Sequence, residues 1–330
     1  MGYEYAETVQ TKIPEFGVFT GAKRGGKKGL FEKADKSTIF LDEVDQLPYH
    51  VEPKLGDKEY NLKKIEGYIE EVMSKYPDTR LIVFPELATT GYEGEPEQFQ
   101  EMAETIPDGE SMVRIGALAK KYHTHIIYGF AERDAVLTDV LYNAALMIDE
   151  DGKVLGSYHK VHPFADEKRW CRAGCDLPLF DTVLGKIGIQ ICWDTAFPEI
   201  SRCYAVKGAD LLVVSTNWEN PYEIPGWTHE SETNPHAEDW DLMTAARAFD
   251  NTLHLVAANR IGDDGKVLSF FGRSKILDPR GKTIASLDEE VEGIISAEID
   301  TALTQQKRTE YYCFFKDRRP DVYGDIVKIY

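Results

Sequence analysis

Three residues with reactive side chains, Glu86, Lys160 and Cys192, each stand at the end of a predicted strand. Glu86 comes two residues after "LIVF" at 81–84, Lys160 ends "GSYHK" at 156–160, and Cys192 ends "IGIQIC" at 187–192. Runs of this length and β-branched content are typical of strands buried on both faces. The pattern therefore predicts a carboxylate, an ammonium group and a thiol at three strand ends.

Each of these residues has an ordinary structural explanation when taken alone. Glu86 could cap a helix or turn, Lys160 could be a solvent-facing lysine of a hairpin, and Cys192 could be a small core residue. Together they make chemical sense, because cysteine reacts as its thiolate and a nearby cation lowers the thiol pKa. A carboxylate can accept the thiol proton and later activate a water. The lysine can face an oxyanion, alongside a backbone N–H at the turn after the nucleophile. The set predicts attack on a carbonyl or nitrile carbon through a covalent intermediate.

Other candidate motifs are weaker. "GAKRGGKK" at 21–28 has the skeleton of a phosphate-binding loop, but a lysine replaces the magnesium-binding Ser or Thr and no strand precedes it. "HESETNPH" at 229–236 contains two histidines, but Pro235 prevents the helix that would place them on one face, so we predict no metal site. "CRAGC" at 171–175 lacks a second cysteine pair and is interpreted as two unrelated free thiols.

The elements that must position the reactive residues are strands, hairpins and helices interleaved along the chain. Further apolar runs predict strands at 125–130, 142–148, 211–215 and 253–259, and Asp-Gly or Arg-Gly turns predict hairpins at 147–160 and 275–286. Helical periodicity predicts helices at 61–74, with Asn61 as N-cap, at 111–122 and at 238–250. No composition break separates two domains. We therefore predict one α/β domain at 37–330, preceded by a polar extension at 1–36.

Composition limits the classes of function. The chain has 330 residues, 42% of them hydrophobic, and 38 basic against 57 acidic residues give a net charge of −19. Such a surface repels phosphate backbones and anionic lipid, so neither a nucleic-acid nor a membrane partner is expected. The absence of a long apolar segment and the odd count of 5 cysteines favour a cytoplasmic protein with reduced thiols.

The local sequences around the three residues resemble those of the nitrilase superfamily of carbon–nitrogen hydrolases. "FPELATTGY" at 84–92, "KVHPFADE" at 160–167 and "CWDTAFPE" at 192–199 occur in the family's order, and "STNW" at 215–218 and "AANRIG" at 257–262 extend the similarity from about residue 50 to the end. The resemblance implies a four-layer α-β-β-α sandwich, with Glu86 as general base, Lys160 as oxyanion stabiliser and Cys192 as nucleophile. It also implies that Glu167 orients substrate and water near the lysine.

The same resemblance implies a substrate-binding pocket with Tyr92, Trp193 and Trp218, in which the backbone N–H of Trp193 completes the oxyanion site. It implies an amidase that needs no metal or organic cofactor and cleaves a small non-peptide amide through a cysteine thioester. An N-carbamoyl amide hydrolase is the nearest alternative, a nitrilase is less favoured because Asp194 replaces the glutamate typical of nitrilases, and a catalytically silent scaffold is the non-enzyme alternative. The aromatic tail "TEYYCFFKD" at 309–317 and the resemblance suggest a homodimer or larger assembly.

Overall fold

The computed structural model describes residues 37–42, 53–220, 234–263, 265–287, 292–309 and 314–329. The predicted extension at 1–36 lies outside the described residues, as do most of 219–236 and the central part of the aromatic tail. The boundary between extension and domain therefore stays a prediction.

The described elements alternate between strands and helices. The strands are β1 (Ser37–Asp42), β2 (Leu81–Val83), β3 (His125–Arg133), β4 (Leu141–Ile148), β5 (Val154–His159), β6 (Leu179–Thr182), β7 (Gly185–Ile191), β8 (Leu211–Thr216), β9 (His254–Asn259), β10 (Ile261–Asp263), β11 (Ser269–Phe271), β12 (Lys275–Leu277), β13 (Thr283–Ser286) and β14 (Gly293–Glu298). The helices are α1 (Lys58–Lys75), α2 (Pro96–Met102), α3 (Glu110–Tyr122), α4 (Pro198–Val206), α5 (Pro235–Asn251), α6 (Ala302–Arg308) and α7 (Phe314–Asp317).

Twelve of the described strands form two six-stranded sheets, and β10 and β11 pair with each other in a small antiparallel sheet. The first has the order β14-β1-β2-β3-β4-β5 and the second has the order β13-β12-β9-β8-β7-β6. β1, β2 and β3 run parallel, as do β7, β8 and β9, whereas β4–β5 and β12–β13 form the two antiparallel hairpins that the sequence predicts. The carboxyl ends of parallel strands meet at one edge of a sheet, which is where ligands commonly bind.

Alternation along the strands places one apolar row between the sheets and another beneath the helices. Leu81 and Val83 of β2 lie in the core shared with Ile187, Ile189 and Ile191 of β7. Ile82, between them in sequence, lies in a separate core under α1 and α3. This is the period-2 pattern of strands that are covered on both faces.

Helices cover the outer face of each sheet. α1 and α3 pack on the first sheet, and α4 and α5 pack on the second. Gly188 of β7 faces α4, where a Cβ would come within 2.6 Å of the Tyr204 ring, so the close packing of this helix requires glycine. The layers are helix, sheet, sheet and helix, which confirms the predicted sandwich.

One predicted helix start is wrong. Asp57, not Asn61, caps α1, and its side chain accepts a hydrogen bond from the N–H of Tyr60. Asn61 lies inside the helix and is buried, where its amide bonds the backbone of Lys54 and the carbonyl oxygen of Thr89. Its polarity thus connects the helix to the segment that follows Glu86 rather than ending the helix.

Candidate active site

Glu86 lies three residues beyond β2 and is only 1% exposed. Gly129 of β3 lies directly against this segment, and a Cβ at that position would come within 2.6 Å of the Glu86 Cα and 2.3 Å of the Leu87 nitrogen. Leu87 itself has a left-handed backbone, with φ of 48°. The turn that delivers Glu86 can therefore approach β3 only because residue 129 is glycine.

Donors from three elements hold the Glu86 carboxylate. Its Oε1 accepts hydrogen bonds from Lys160 Nζ at 2.7 Å and from Asn143 Nδ2 at 2.7 Å, while its Oε2 accepts the backbone N–H of Asn217 at 2.9 Å. The side-chain amide of Asn217 also donates to the Glu86 carbonyl oxygen at 2.9 Å. These contacts fix the orientation of the carboxylate, as a general base requires.

Sequence reasoning missed Asn143 and Asn217. Asn143 is a fully buried amide inside the apolar strand β4, and Asn217 follows β8 within "STNW". A polar residue in an otherwise apolar buried strand indicates a specific hydrogen-bond partner, so the signal was present. The identity of that partner follows only from the order of the strands in the sheets.

Lys160, the residue after β5, is 1% exposed and bridges two carboxylates. Its Nζ lies 2.7 Å from Glu86 Oε1 and 2.6 Å from Glu167 Oε1. Burial opposes the charge on the ammonium group, but the carboxylates of Glu167 and Glu86 outweigh burial and raise the pKa of Lys160 well above its ordinary value. The ammonium group is therefore positively charged in the resting site.

Glu167 lies in a short 3-10 turn at Ala165–Arg169 and is held on both oxygens. Oε1 accepts the Tyr92 hydroxyl at 2.6 Å in addition to Lys160, and Oε2 accepts the backbone N–H of Phe164 at 3.1 Å. Tyr92, one of the three residues predicted to bind substrate, thus uses its hydroxyl to position Glu167. Its ring remains at the site, edge-on to Phe270 at 5.9 Å.

Cys192 follows β7 directly, and the chain turns there. The residue has φ of 46°, in the left-handed region, is 3% exposed, and begins a 3-10 turn that ends at Ala196. Side chains other than glycine adopt this conformation at a cost of roughly 1–2 kcal/mol. Non-glycine residues held in this way cluster at active sites, where the surrounding structure over-determines them.

The Asp194 carboxylate supplies that surrounding structure. Its Oδ2 accepts the Tyr158 hydroxyl at 2.6 Å and the Ile191 N–H at 3.1 Å, while its Oδ1 accepts the His162 N–H at 2.9 Å and lies 2.8 Å from His162 Nδ1. Asp194 is fully buried. It therefore ties the Cys192 turn to the segment that carries Lys160.

The environment of Cys192 favours the protonated thiol. Burial, followed by the carboxylate of Glu86, raises the pKa of Cys192 well above its ordinary value, even though Lys160 acts to lower it. Lys160 acts on the thiol in the direction expected of a nearby cation, but desolvation and the carboxylates outweigh it. The thiol needs a base at the moment of attack.

Glu86 has a pKa suited to that task. Burial raises the pKa of Glu86 from 4.5 to about 7, while the Lys160 charge acts against the rise. A general base with a pKa near the working pH can both take and return a proton. The structure thus brings Glu86, Lys160 and Glu167 into direct contact and sets Cys192 where it interacts electrostatically with all three.

Aromatic rings surround the Cys192 turn. The centre of the Trp193 ring lies 5.1 Å from that of Phe164 and 5.9 Å from that of Trp218. The Trp218 ring in turn lies 5.5 Å from the Trp240 ring. Trp193 and Trp218, both predicted to bind substrate, therefore lie side by side next to the thiol. The role of the Trp193 N–H in binding an oxyanion stays a prediction.

A cavity of about 360 Å³ opens beside Glu167. Tyr92 and Glu167 form part of its wall, together with the rings of Phe164 and Trp170 and the side chain of Leu268. This volume suits a small organic molecule rather than a folded partner.

The weaker motifs can be followed only in part. Cys171, Cys175, Cys192 and Cys203 are all free thiols, and the described residues contain no cluster of His, Cys, Asp or Glu arranged to hold a metal ion. Residues 21–28 and 229–233 lie outside the described residues. Across the described helices, none is long and apolar enough to span a membrane.

Comparison with known proteins agrees with the geometry. The family model described as carbon–nitrogen hydrolase matches residues 45–309. A second family model, the sigma-54 interaction domain, matches residues 14–57, a stretch mostly outside the described residues.

Two curated relatives and one solved structure illustrate the similarity. A protein named probable nitrilase from Schizosaccharomyces pombe is 49% identical and covers 82% of this chain and 94% of its own length. The omega-amidase NIT3 of Saccharomyces cerevisiae is 30% identical over 82% of this chain and 91% of its own length. The crystal structure of a carbon–nitrogen hydrolase from Helicobacter pylori G27 superposes with a TM-score of 0.78 at 27% identity, covering 89% of this chain and 99% of that one.

Proposed function

Because the chain belongs to the carbon–nitrogen hydrolase family, we propose that it is an amidase acting on a small non-peptide amide, with Glu86, Lys160 and Cys192 as its catalytic residues. The products are a carboxylic acid and ammonia. The observation that carries this proposal is the buried Lys160 bridging Glu86 and Glu167, with the buried Cys192 in the electrostatic field of all three.

The first half-reaction forms a thioester. Glu86 takes the proton from the Cys192 thiol as the sulfur attacks the amide carbon, and the resulting oxyanion faces the Lys160 ammonium group. Glu86 then gives that proton to the nitrogen, the C–N bond breaks, and ammonia leaves. The acyl group remains bonded to sulfur.

The second half-reaction consumes one water. Glu86, ionised again, removes a proton from a water molecule as the water oxygen attacks the thioester carbon. The carbon–sulfur bond breaks, the thiolate of Cys192 recovers a proton from Glu86, and the carboxylic acid leaves. Glu167, held by Lys160 and Tyr92, positions the substrate and the water without changing its own covalent state.

A nitrilase is the second candidate, favoured by the name of the S. pombe relative at 49% identity. Both reactions use the same three residues, and Asp194 does not separate them by contact, because its carboxylate is fully engaged away from the substrate. A carbamoyl amide hydrolase would use the same residues again and release carbon dioxide with the ammonia.

The test is ammonia release from matched aliphatic amides, nitriles and carbamoyl amines. We expect the amide to be hydrolysed fastest. Faster turnover of the nitrile, or carbon dioxide released with ammonia, would replace the amidase assignment. No ammonia from any member would favour a catalytically silent protein.

A second measurement tests the residue roles. We expect Cys192→Ala to abolish turnover, with Cys203→Ala as the matched control, and mass spectrometry of the wild type to find the acyl adduct on the Cys192 peptide. An active Cys192→Ala enzyme, or an adduct found only on another cysteine, would refute the assignment.

A further inference from the structure

Glu219 is a buried carboxylate that the mechanism above does not use. It follows Trp218 directly and is only 7% exposed. Its backbone pairs with Phe270 of β11, and the next residue, Asn220, donates its N–H to the carbonyl oxygen of Ser269 at 2.7 Å. These contacts fix the backbone of residue 219 against the β11 strand.

This position lies between the two halves of the candidate active site. On one side, the Trp218 ring lies 5.9 Å from Trp193, the neighbour of Cys192. On the other side, the Phe270 ring meets Tyr92, whose hydroxyl donates to Glu167. Glu219 thus stands where the wall around the thiol meets the wall around Glu167.

The charge of Glu219 acts on the catalytic residues. Glu219 contributes to the raised pKa of Cys192, and Lys160 and Glu167 both act on the pKa of Glu219 in turn. Burial, the largest influence, raises the pKa of Glu219 above its ordinary value. The carboxylate therefore belongs to the electrostatic environment of the site, although it bonds none of the three catalytic residues.

Within the described part of the chain, no lysine or arginine forms an ion pair with Glu219. The Nδ1 of His236 lies 3.0 Å from the carbonyl oxygen of Glu219, and His236 and Lys160 both act to lower the pKa of the Glu219 carboxyl group, but burial outweighs them. A buried carboxylate whose burial is not offset by nearby cations is costly, and a positive charge brought by a ligand would reduce that cost.

The rest of the site also has more acidic than basic groups. Lys160 is a single cation that already bridges Glu86 and Glu167. The adjoining cavity has more acidic than basic side chains in its wall: Glu93, Glu95, Asp166 and Glu167 against Arg169 and Lys266. A cleft lined in this way raises the local concentration of cations.

We propose that Glu219 binds a cationic group of the substrate, so that the preferred substrates are amides carrying an ammonium group on the acyl chain. The nearby indole rings of Trp193 and Trp218 suit the same ligand, because aromatic faces attract cations. This inference rests on the proposed amidase function for its turnover assay, but its binding assay does not require turnover.

The turnover assay compares pairs of amides that differ only in an ammonium group replacing a terminal methyl group. The pairs are 3-aminopropanamide with butanamide, 4-aminobutanamide with pentanamide, and 5-aminopentanamide with hexanamide. Since a hydrogen bond to a charged group contributes about 1.5–3 kcal/mol, kcat/KM should favour the cationic member of at least one pair by about 10-fold or more. Glu219→Gln should bring that ratio close to one. Glu238→Gln, an equal charge change at an exposed position of α5, should leave the ratio as in the wild type.

The binding assay uses Cys192→Ala protein and the same pairs in calorimetry. The cationic amide should bind more tightly than its neutral partner, and the double variant Cys192→Ala with Glu219→Gln should lose that difference. Turnover without preference for the cationic member, or a preference that survives Glu219→Gln, would overturn the inference and leave the amidase proposal intact. No turnover, together with a binding preference that depends on Glu219, would support this inference and overturn the amidase proposal.

Discussion

The pH dependence of turnover should report the raised pKa of Glu86. Glu86 must be ionised to accept the thiol proton, and its pKa is about 7 because the carboxyl group is buried. With that pKa the ionised fraction is about one tenth at pH 6 and about nine tenths at pH 8, so kcat/KM should rise about 10-fold across that interval. A glutamate with an ordinary pKa would be fully ionised throughout, and the profile would be flat.

The Asn143→Leu variant tests whether the rise of kcat/KM between pH 6 and pH 8 reports the ionisation of Glu86. The substitution removes the amide that donates to Glu86 Oε1 at 2.7 Å, a bond that favours the ionised form. Losing about 1.5–3 kcal/mol of preference for that form should raise the apparent pKa by about 1–2 units. At pH 7, kcat/KM should fall by about 5- to 50-fold, with partial recovery at pH 9.

The assay is initial-rate ammonia release from pH 5 to pH 9, with melting temperatures measured at each end. Asn251→Leu is the matched control, because Asn251 is also fully buried and, like Asn143, has a side-chain oxygen without a hydrogen-bond partner in the described structure. The ionised fraction of Glu86 should change most between about pH 5.5 and about pH 8. A flat profile of kcat/KM across that interval would refute the reasoning. An acid limb that stays in place in a well-folded Asn143→Leu protein would assign it to another group.

Three further predictions concern stability and assembly. Asp194→Asn should lower the free energy of unfolding by about 1.5–3 kcal/mol, because one of two buried acceptor oxygens becomes an amide NH2 group that faces donors; urea unfolding equal to wild type would contradict this. Burial lowers the pKa of His254 to about 4. The unfolded chain binds that proton more readily, so stability should fall by about 3 kcal/mol as pH drops from about 6.5 to 4. His254→Asn should lose this dependence, whereas His123→Asn, at an exposed position, should retain it. Leu242 is 70% exposed on α5, and we propose that a second copy of the chain covers it. Light scattering should then give a multiple of 37.4 kDa, shifted towards the monomer in Leu242→Glu; a monomeric wild type at micromolar concentration would contradict assembly.

Local patterns were sufficient to predict the strand ends. The apolar runs before Glu86 and Cys192 are short, β-branched and buried, so their limits are visible in the sequence within one or two residues. The strand before Lys160 is a half-buried edge strand, contrary to the prediction of a strand covered on both faces, and its end was visible from the hairpin instead. The convergence of the three residues was inferred from their shared chemistry and from the family resemblance. The structure brings them together at one place because parallel strands present their carboxyl ends at one edge.

Two features could not be read from local sequence because each depends on distant parts of the chain. The partners of Glu86 include Asn217, 131 positions away, which only the packing of the two sheets brings into contact. The pKa shift of Cys192 is the net result of burial, three glutamates and one lysine, and its direction depends on how completely water is removed. A sequence motif identifies the ionisable groups but not the net effect that burial and their charges have on a pKa.

The left-handed backbone at Cys192 bears on how a descendant of this chain could lose its chemistry. The φ of 46° at this position suits glycine better than any residue with a side chain. A cysteine codon becomes a glycine codon by one base change, and that change would relieve about 1–2 kcal/mol of conformational cost while deleting the proposed nucleophile. After a gene duplication, substitution at Cys192 is therefore the readier route by which one copy becomes a stable, inactive binding protein. Substitution elsewhere in the site is less favourable, because Lys160 and the two glutamates that it bridges depend on one another.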